Sequence, residues 1–202
     1  MIRILFVGDG ERDAVTVPRL VETIIGASLD AETRHWARLH APKQYGRKLR
    51  YSFLQAKDLA VSGLVATVDR DKDRSGERLS KLRNAREEER ARGSVLPVAL
   101  GEAAPHGEAW LLDDPVAVRL ALNLPPDAEI PSPTRVKSPK EELHRLLETS
   151  ERGERPLEVF PDIARRVDLS RCNHTLKTGF AEFVKDVRQE ISPLASANPP
   201  GG

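Results

Sequence analysis

Two short apolar runs in this chain each end in a cluster of carboxylates. Ile2 to Val7 leads through Gly8 into Asp9, Glu11 and Asp13, and Leu64 to Val68 leads into Asp69, Asp71 and Asp73. Neither run alternates clearly between apolar and polar residues. Uninterrupted apolar strands are buried on both faces, as in the parallel sheet of an α/β protein. If the two strands are parallel neighbours, their carboxyl ends bring five or six carboxylates to one edge of the sheet. So many negative charges repel one another unless a cation sits among them. Oxygen-rich sites of this kind suit Mg²⁺ or Mn²⁺. The pattern predicts a divalent-metal site and phosphate chemistry.

The rest of the chain supplies the expected α/β alternation. Ile2 to Gly8 reads as the first strand and Asp9 to Asp13 as a turn. Val15 to Ile25 reads as a helix with Val17, Leu20, Val21, Ile24 and Ile25 on one face, Pro18 in its first turn and Gly26 ending it. Glu32 to His40 is a weak second strand, Gln44 to Ala60 a helix, and Gly63 to Val68 the clearest strand. Arg74 to Arg92 is a charged helix anchored only by Leu79 and Leu82, and reads as a solvated helix over the sheet. Val95 to Leu100 is a fourth strand, and a helical pattern from Glu108 to Leu124 is interrupted near Asp113-Asp114-Pro115.

This order predicts a mainly parallel four-stranded sheet flanked by helices over residues 1–124, with right-handed crossovers. After a proline-rich loop, Ser138-Pro139-Lys140-Glu141 is a helix start. Further helices around Val159 to Val167 and Phe180 to Ile191 make a helical C-terminal extension over 125–191. Residues 192–202, rich in Pro, Ala, Ser and Gly, read as a disordered tail.

Composition narrows the function classes. At 202 residues, the chain supports one good core. No apolar run approaches the roughly 20 residues that span a bilayer. The start is too short for a signal peptide and leads straight into a strand. The single cysteine, Cys172, excludes an internal disulfide and fits a reducing cytoplasm. One cysteine and scattered histidines argue against structural zinc. A net charge of +1 weakens the case for a pure nucleic-acid-binding module without touching an enzyme that visits nucleic acid.

Each acidic motif also has a plainer explanation. Asp69-Arg70-Asp71-Lys72-Asp73 begins like an EF-hand loop, but Arg74 and Ser80 stand where that loop needs glycine and glutamate. A helix cap accounts for one aspartate, most naturally Asp73, and not for the pair Asp69 and Asp71, which point the same way at a strand end. Gly8-Asp9-Gly10-Glu11-Arg12-Asp13 is neither a Walker loop nor a dinucleotide fingerprint. Glu108 is either another metal or supporting carboxylate, or a helix-start glutamate favoured by the helix dipole. Trp110 reads as core. Lys43, Arg47, Lys48 and Arg50, near Tyr45 and Tyr51, make either a phosphate-backbone patch or an ordinary solvated helix face. A Cys172–His174 nucleophile has no local signature.

These motifs together resemble a Toprim domain, a compact α/β fold with an acidic residue after its first strand and a D-x-D pair after its third. The chain looks most like the Toprim domains of OLD-family (overcoming lysogenization defect) nucleases and like a bacterial Toprim-like family with standalone members of about this length. Asp9-Gly10 followed by Asp13, with Pro18 beyond, matches the spacing of the OLD first motif. Either Asp9 replaces the usual glutamate there or Glu11 takes its place through a small shift. Lys140 would match the lysine that OLD-type sites use. The resemblance implies Mg²⁺- or Mn²⁺-dependent phosphodiester cleavage, a phage-defence setting and an ATPase partner.

The expectation is therefore a metal-dependent nuclease acting on nucleic acid, DNA before RNA, with an oligomer left open. Asp9, Glu11, Asp13, Asp69, Asp71 and Lys140 would carry catalysis. Asp9, Glu11, Asp13, Asp69, Asp71, Asp73 and Glu108 are the candidate metal ligands. The alternatives are a non-catalytic binding or regulatory subunit and a metal-dependent phosphotransferase or phosphatase on small substrates.

Overall fold

A computed structural model of the chain describes residues 1–39, 44–70, 76–150 and 155–197. Four strands, β1 (Ile2–Gly8), β2 (Leu29–His35), β3 (Gly63–Asp69) and β4 (Val98–Ala103), form one sheet in the order β2-β1-β3-β4. Every pairing is parallel. The apolar runs are buried on both sides, as their lack of alternation predicts. Ile4 and Phe6 of β1 and Val65 of β3 face one core. Leu5 and Val7, with Leu64, Ala66 and Val68, face another.

The helices α1 (Glu11–Ile25), α2 (Tyr45–Asp58) and α3 (Glu77–Ala91) connect the strands. α1 carries Val17, Leu20, Val21 and Ile24 into the first core. The second core receives Leu49 and Phe53 from α2 and Leu79 and Leu82 from α3. It also receives Trp36, whose indole Nε1 donates to the Thr67 carbonyl at 2.7 Å.

Strand order reverses between β1 and β3. The connection from β1 runs outward to β2, and the chain then crosses back to the other side of β1. In such sheets a crevice opens at the carboxyl ends where the order reverses, because the loops leaving the two strands diverge. Asp9 leaves β1 and Asp69 ends β3 at that point.

Several boundaries differ from expectation. α1 begins at Glu11, so Glu11 to Asp13 form its first turn and not a loop. β2 starts at Leu29 and ends at His35, after which Trp36–Arg38 turns as a 3-10 helix to bury the indole. β4 runs from Val98 to Ala103, three residues later than its β-branched start implied. Ser192–Ala197 is helical (α10), with Leu194 and Ala195 packed on the core, where tail was expected.

The region from Glu108 folds as α4 (Glu108–Leu112) and α5 (Pro115–Leu122). Asp114 breaks the helix there and caps the next, accepting from Val116 N and Ala117 N at 3.1 Å. α6 (Pro139–Thr149), α7 (Pro156–Arg166), α8 (Thr175–Thr178) and α9 (Phe180–Glu190) follow. Ser138 caps α6, its Oγ accepting from Glu141 N at 3.2 Å. Leu143, Phe160, Ile163, Phe183 and Val187 share the first core with β1 and α1. Trp110 is core as expected: it stacks between Phe180 and Phe183, and its Nε1 donates to the Thr178 carbonyl at 2.8 Å.

α3 does lie over the sheet, but its arginines are partnered. Arg83, Arg86 and Arg90 pair with Glu182, Asp186 and Glu190 of α9 at 2.6, 2.7 and 2.7 Å. Asp186 also accepts from Leu100 N at 2.7 Å, so α9 covers β4 at the sheet's edge.

Gly179 joins α8 to α9 against β4. Its φ is +79°, and a Cβ there would stand 2.1 Å from the Glu102 carbonyl oxygen. Gly179→Ala is expected to destabilise the protein by about 1–3 kcal/mol through overpacking and the strained φ. Urea denaturation followed by circular dichroism measures it.

Candidate active site at the carboxyl edge of the sheet

Three carboxylates at the β1 and β3 ends are linked through backbone amides. Asp13, in the first turn of α1, folds back so that its Oδ2 accepts from Asp9 N at 2.8 Å and Gly10 N at 3.1 Å. Asp9 Oδ2 accepts from Asp69 N at 2.7 Å. Asp69 Oδ1 accepts from Gly107 N at 3.0 Å. Gly8 makes the first of these folds possible, because a Cβ at residue 8 would lie 2.6 Å from Asp13 Cβ.

The crowding shows in the proton affinities. Asp69 is pushed from an ordinary 3.8 to about 8, first by burial and then by the negative charges of Asp13, Asp9 and Glu108. Asp13 rises from 3.8 to about 6, again mainly by burial, with the amide bonds from Gly10 and Asp9 pulling the other way. At neutral pH Asp69 therefore holds a proton in the metal-free protein unless positive charge arrives nearby.

A cleft of about 620 Å³ opens over these groups. Asp9, Glu11, Asp13, Asp69, Glu108 and Lys140 all line it. Sequence left open whether Asp9 or Glu11 occupies the first acidic position. In the structure Asp9 faces the end of β3, whereas Glu11 is exposed and pairs with Arg38 at 3.4 Å. Glu108, the first residue of α4, is buried and held by Arg12 Nη1 at 2.6 Å. Lys140 stands exposed in the first turn of α6. Asp71 and Asp73 lie outside the described residues, as do His40 and Lys43. Among the described residues no three His, Cys, Asp or Glu side chains are arranged to hold a metal ion.

Sequence reasoning missed two histidines here. His106 Nδ1 lies 3.4 Å from Asp69 Oδ2, and His144 Nε2 lies 3.3 Å from Arg12 Nη1. Both line the cleft, together with Arg155. His106 sits two residues before Glu108, just past β4, and that proximity to a candidate carboxylate was the available signal. Nothing local marks His144, which the fold brings from α6 to α1.

The basic stretch at the start of α2 is largely committed elsewhere. Arg50 pairs with Glu88, and Lys48 Nζ donates to the Trp36 carbonyl at 2.7 Å. Tyr45 instead turns toward the acidic edge, its hydroxyl 3.4 Å from Asp9 Oδ1. Burial and the charges of Asp113 and Asp114 push the Cys172 thiol up to about 12, which disfavours the nucleophilic thiolate.

No protein-family model matches the chain, and no curated protein matches it. Among solved structures it is similar to the C-terminal region of the Xanthomonas campestris pv. campestris OLD protein. That likeness has 14% identity and a TM-score of 0.40 over 94% of this chain and 95% of that one. No helix among the described residues is long and apolar enough to cross a membrane.

The raised Asp69 value fixes a sign for pH dependence. Its folded value, about 8, lies above the ordinary 3.8 of an unfolded chain, so between those values the native state binds a proton that the unfolded state releases. This contribution to stability is complete below the unfolded value and is lost as pH rises through the folded one. The metal-free protein is expected to unfold at lower urea concentration at about pH 8.5 than at about pH 5, and Asp69→Asn to shrink the difference.

Proposed function

We propose that this cleft binds one or two Mg²⁺ or Mn²⁺ ions and hydrolyses phosphodiester bonds in nucleic acid, with DNA the first substrate to test. The observation that carries the reading is the crowding of Asp9, Asp13 and Asp69 at the point where strand order reverses, strong enough to push Asp69 to about 8. Crowding carboxylates so that their proton affinity rises costs stability as pH rises toward neutrality, and such groups cluster where function needs them. The carboxylate oxygens of Asp9, Asp13 and Asp69 suit a hard divalent cation such as Mg²⁺ or Mn²⁺. Each carboxylate has about four lone-pair sites, so accepting one or two amides leaves capacity for a metal.

Asp69 and Asp9 would hold the cation, with Asp13 as the nearest further candidate among the described residues and Asp71 a candidate from the sequence motif alone. Bound there, the metal would polarise the scissile phosphate and lower the pKa of an attacking water. The chain's own residues would do the rest. Lys140 and Arg155, at the cleft, would hold the phosphate and offset charge that develops on it. Arg12 would hold Glu108 in place. The amide bonds from Asp69 and Gly107 would fix the carboxylates before substrate arrives.

That no three ligating side chains converge among the described residues favours a second reading, a Toprim-like binding subunit without chemistry of its own. A phage-defence setting and an ATPase partner come to this chain only through the resemblance noted from its motifs.

Incubation of the purified protein with supercoiled plasmid and Mg²⁺, Mn²⁺ or EDTA separates the readings. Metal-dependent nicking is expected, with Asp69→Asn lowering the rate by at least about 100-fold and Lys140→Ala by about 10- to 100-fold. Nicking that persists in EDTA, or in Asp69→Asn, would refute the assignment. No cleavage with any metal, together with no calorimetric metal binding, would favour the binding subunit.

A second expectation follows from the charge crowding. If a divalent cation enters among the carboxylates, it displaces the Asp69 proton. Mg²⁺ or Mn²⁺ should then raise the urea midpoint more at about pH 8 than at about pH 5, since ligand binding to the native state stabilises it and protons compete at the lower pH.

A further inference from the structure

At the far end of α4 from the carboxylate cleft, Asp113, His174 and Ser132 form a continuous hydrogen-bonded line. Asp113 Oδ1 lies 2.9 Å from His174 Nδ1, and His174 Nε2 lies 3.1 Å from Ser132 Oγ. Asp113 follows Glu108 by five residues, which at 1.5 Å per residue puts the two sites about 7.5 Å apart along the helix axis. The three residues come from three separate segments: the end of α4, the loop after α5 and the N-terminus of α8.

With Asp113 ionised and His174 neutral, the donors and acceptors on this line run in one direction. An ionised Asp113 only accepts, so His174 Nδ1 carries the proton and donates to it. His174 Nε2 is then a lone pair, and the only hydrogen Ser132 Oγ can offer it is its own. Thr134 closes the line on the other side: its backbone N donates to Ser132 Oγ at 3.3 Å, and its hydroxyl, 3.0 Å away, can donate there as well.

The histidine is held rigidly. Asp113 has no exposed side-chain surface and also accepts from the backbone N of His174, at 3.0 Å, and of Asn173, at 3.3 Å. A buried carboxylate that fixes one tautomer, an imidazole whose side chain is 31% exposed, and a serine hydroxyl directed at its lone pair are the parts of a nucleophile–base–orienter set.

We propose that Ser132 is an activated nucleophile that accepts acyl groups from carboxylic esters, independently of the carboxylate cleft. Ser132 Oγ bonds to the ester carbonyl carbon as its proton passes to His174 Nε2. The bond from that carbon to the alkoxy oxygen then breaks, and the departing alcohol takes the proton from His174. Water, deprotonated by the same nitrogen, releases the acid and restores Ser132. Asp113 serves as a positioning residue. Ser132 is half-buried, and Thr134 and Asn173 beside the line are exposed, so the line lies at the protein surface.

A clip that merely pins the loop would leave Ser132 as inert as any other serine, and reactivity separates the two. The intact protein is treated with a fluorophosphonate probe and with p-nitrophenyl acetate, and the modified peptide is located by mass spectrometry. A single adduct on Ser132 is expected, absent in Ser132→Ala. His174→Gln should form it at least about 100-fold more slowly, the usual scale for loss of a general base. Circular dichroism verifies that each variant is folded. No adduct on Ser132 in the folded native protein overturns the proposal, whatever the variants do. An adduct formed equally fast by folded His174→Gln overturns it as well.

Discussion

The hydrogen bonds from backbone amides to acidic side chains hold the carboxyl edge of the sheet together. Asp13 holds the Asp9 amide, Asp9 holds the Asp69 amide, and Asp69 holds the Gly107 amide. Each bond ties one chain segment to the next, so the ends of β1, β3 and the turn after β4 are fixed by the same groups that would do chemistry. Amide donors favour the ionised form of a carboxylate, while burial and neighbouring charge oppose it. At Asp69 the opposing effects prevail, and it rises to about 8. The edge is thus ordered but electrostatically incomplete, which is the condition a cation would relieve.

The sheet makes that arrangement possible because both its faces are covered. β1 sends Ile4 and Phe6 to one core and Leu5 and Val7 to the other, leaving its carboxyl end as the place where polar groups can collect. On one side α2 and α3 seal the second core. On the other, α1, α7 and α9 seal the first, and the segments after residue 125 contribute more buried residues to it than the strands do. The arginine row of α3, locked onto the acids of α9, joins the two layers around β4. The Arg86 and Arg90 pairs are partly buried and the Arg83 pair is exposed, and such pairs fix geometry more than they add stability.

Much of the fold was legible. The unbroken apolar runs Ile2 to Val7 and Leu64 to Val68 announced parallel strands, Gly26 and Ser138 marked helix ends, and Asp113-Asp114-Pro115 marked a break. Boundaries shifted where tertiary contacts outweighed local pattern. α1 starts early because Asp13 reaches back to two amides, and β2 ends early because Trp36 must bury its ring and bond Thr67. Of the site, the acidic residues were visible as strand-end clusters, and Lys140 through resemblance. His106 and His144 were not, because what brings them to the cleft is the turn after β4 and the packing of α6.

The sequence by itself determined that this is an α/β chain with two acidic strand ends, because burial on both faces and strand polarity are written in residue order. It could not decide which acidic group faces which. Asp9 rather than Glu11 meets β3 because Gly8 lets Asp13 fold back and starts α1 at Glu11, which turns Glu11 outward to Arg38. Nor could it place Asp113, His174 and Ser132 in line, since residues so far apart in sequence meet only when α4, α8 and the loop after α5 pack together. Local pattern follows from propensity and periodicity, whereas the meeting of distant side chains depends on how the helices seal the core.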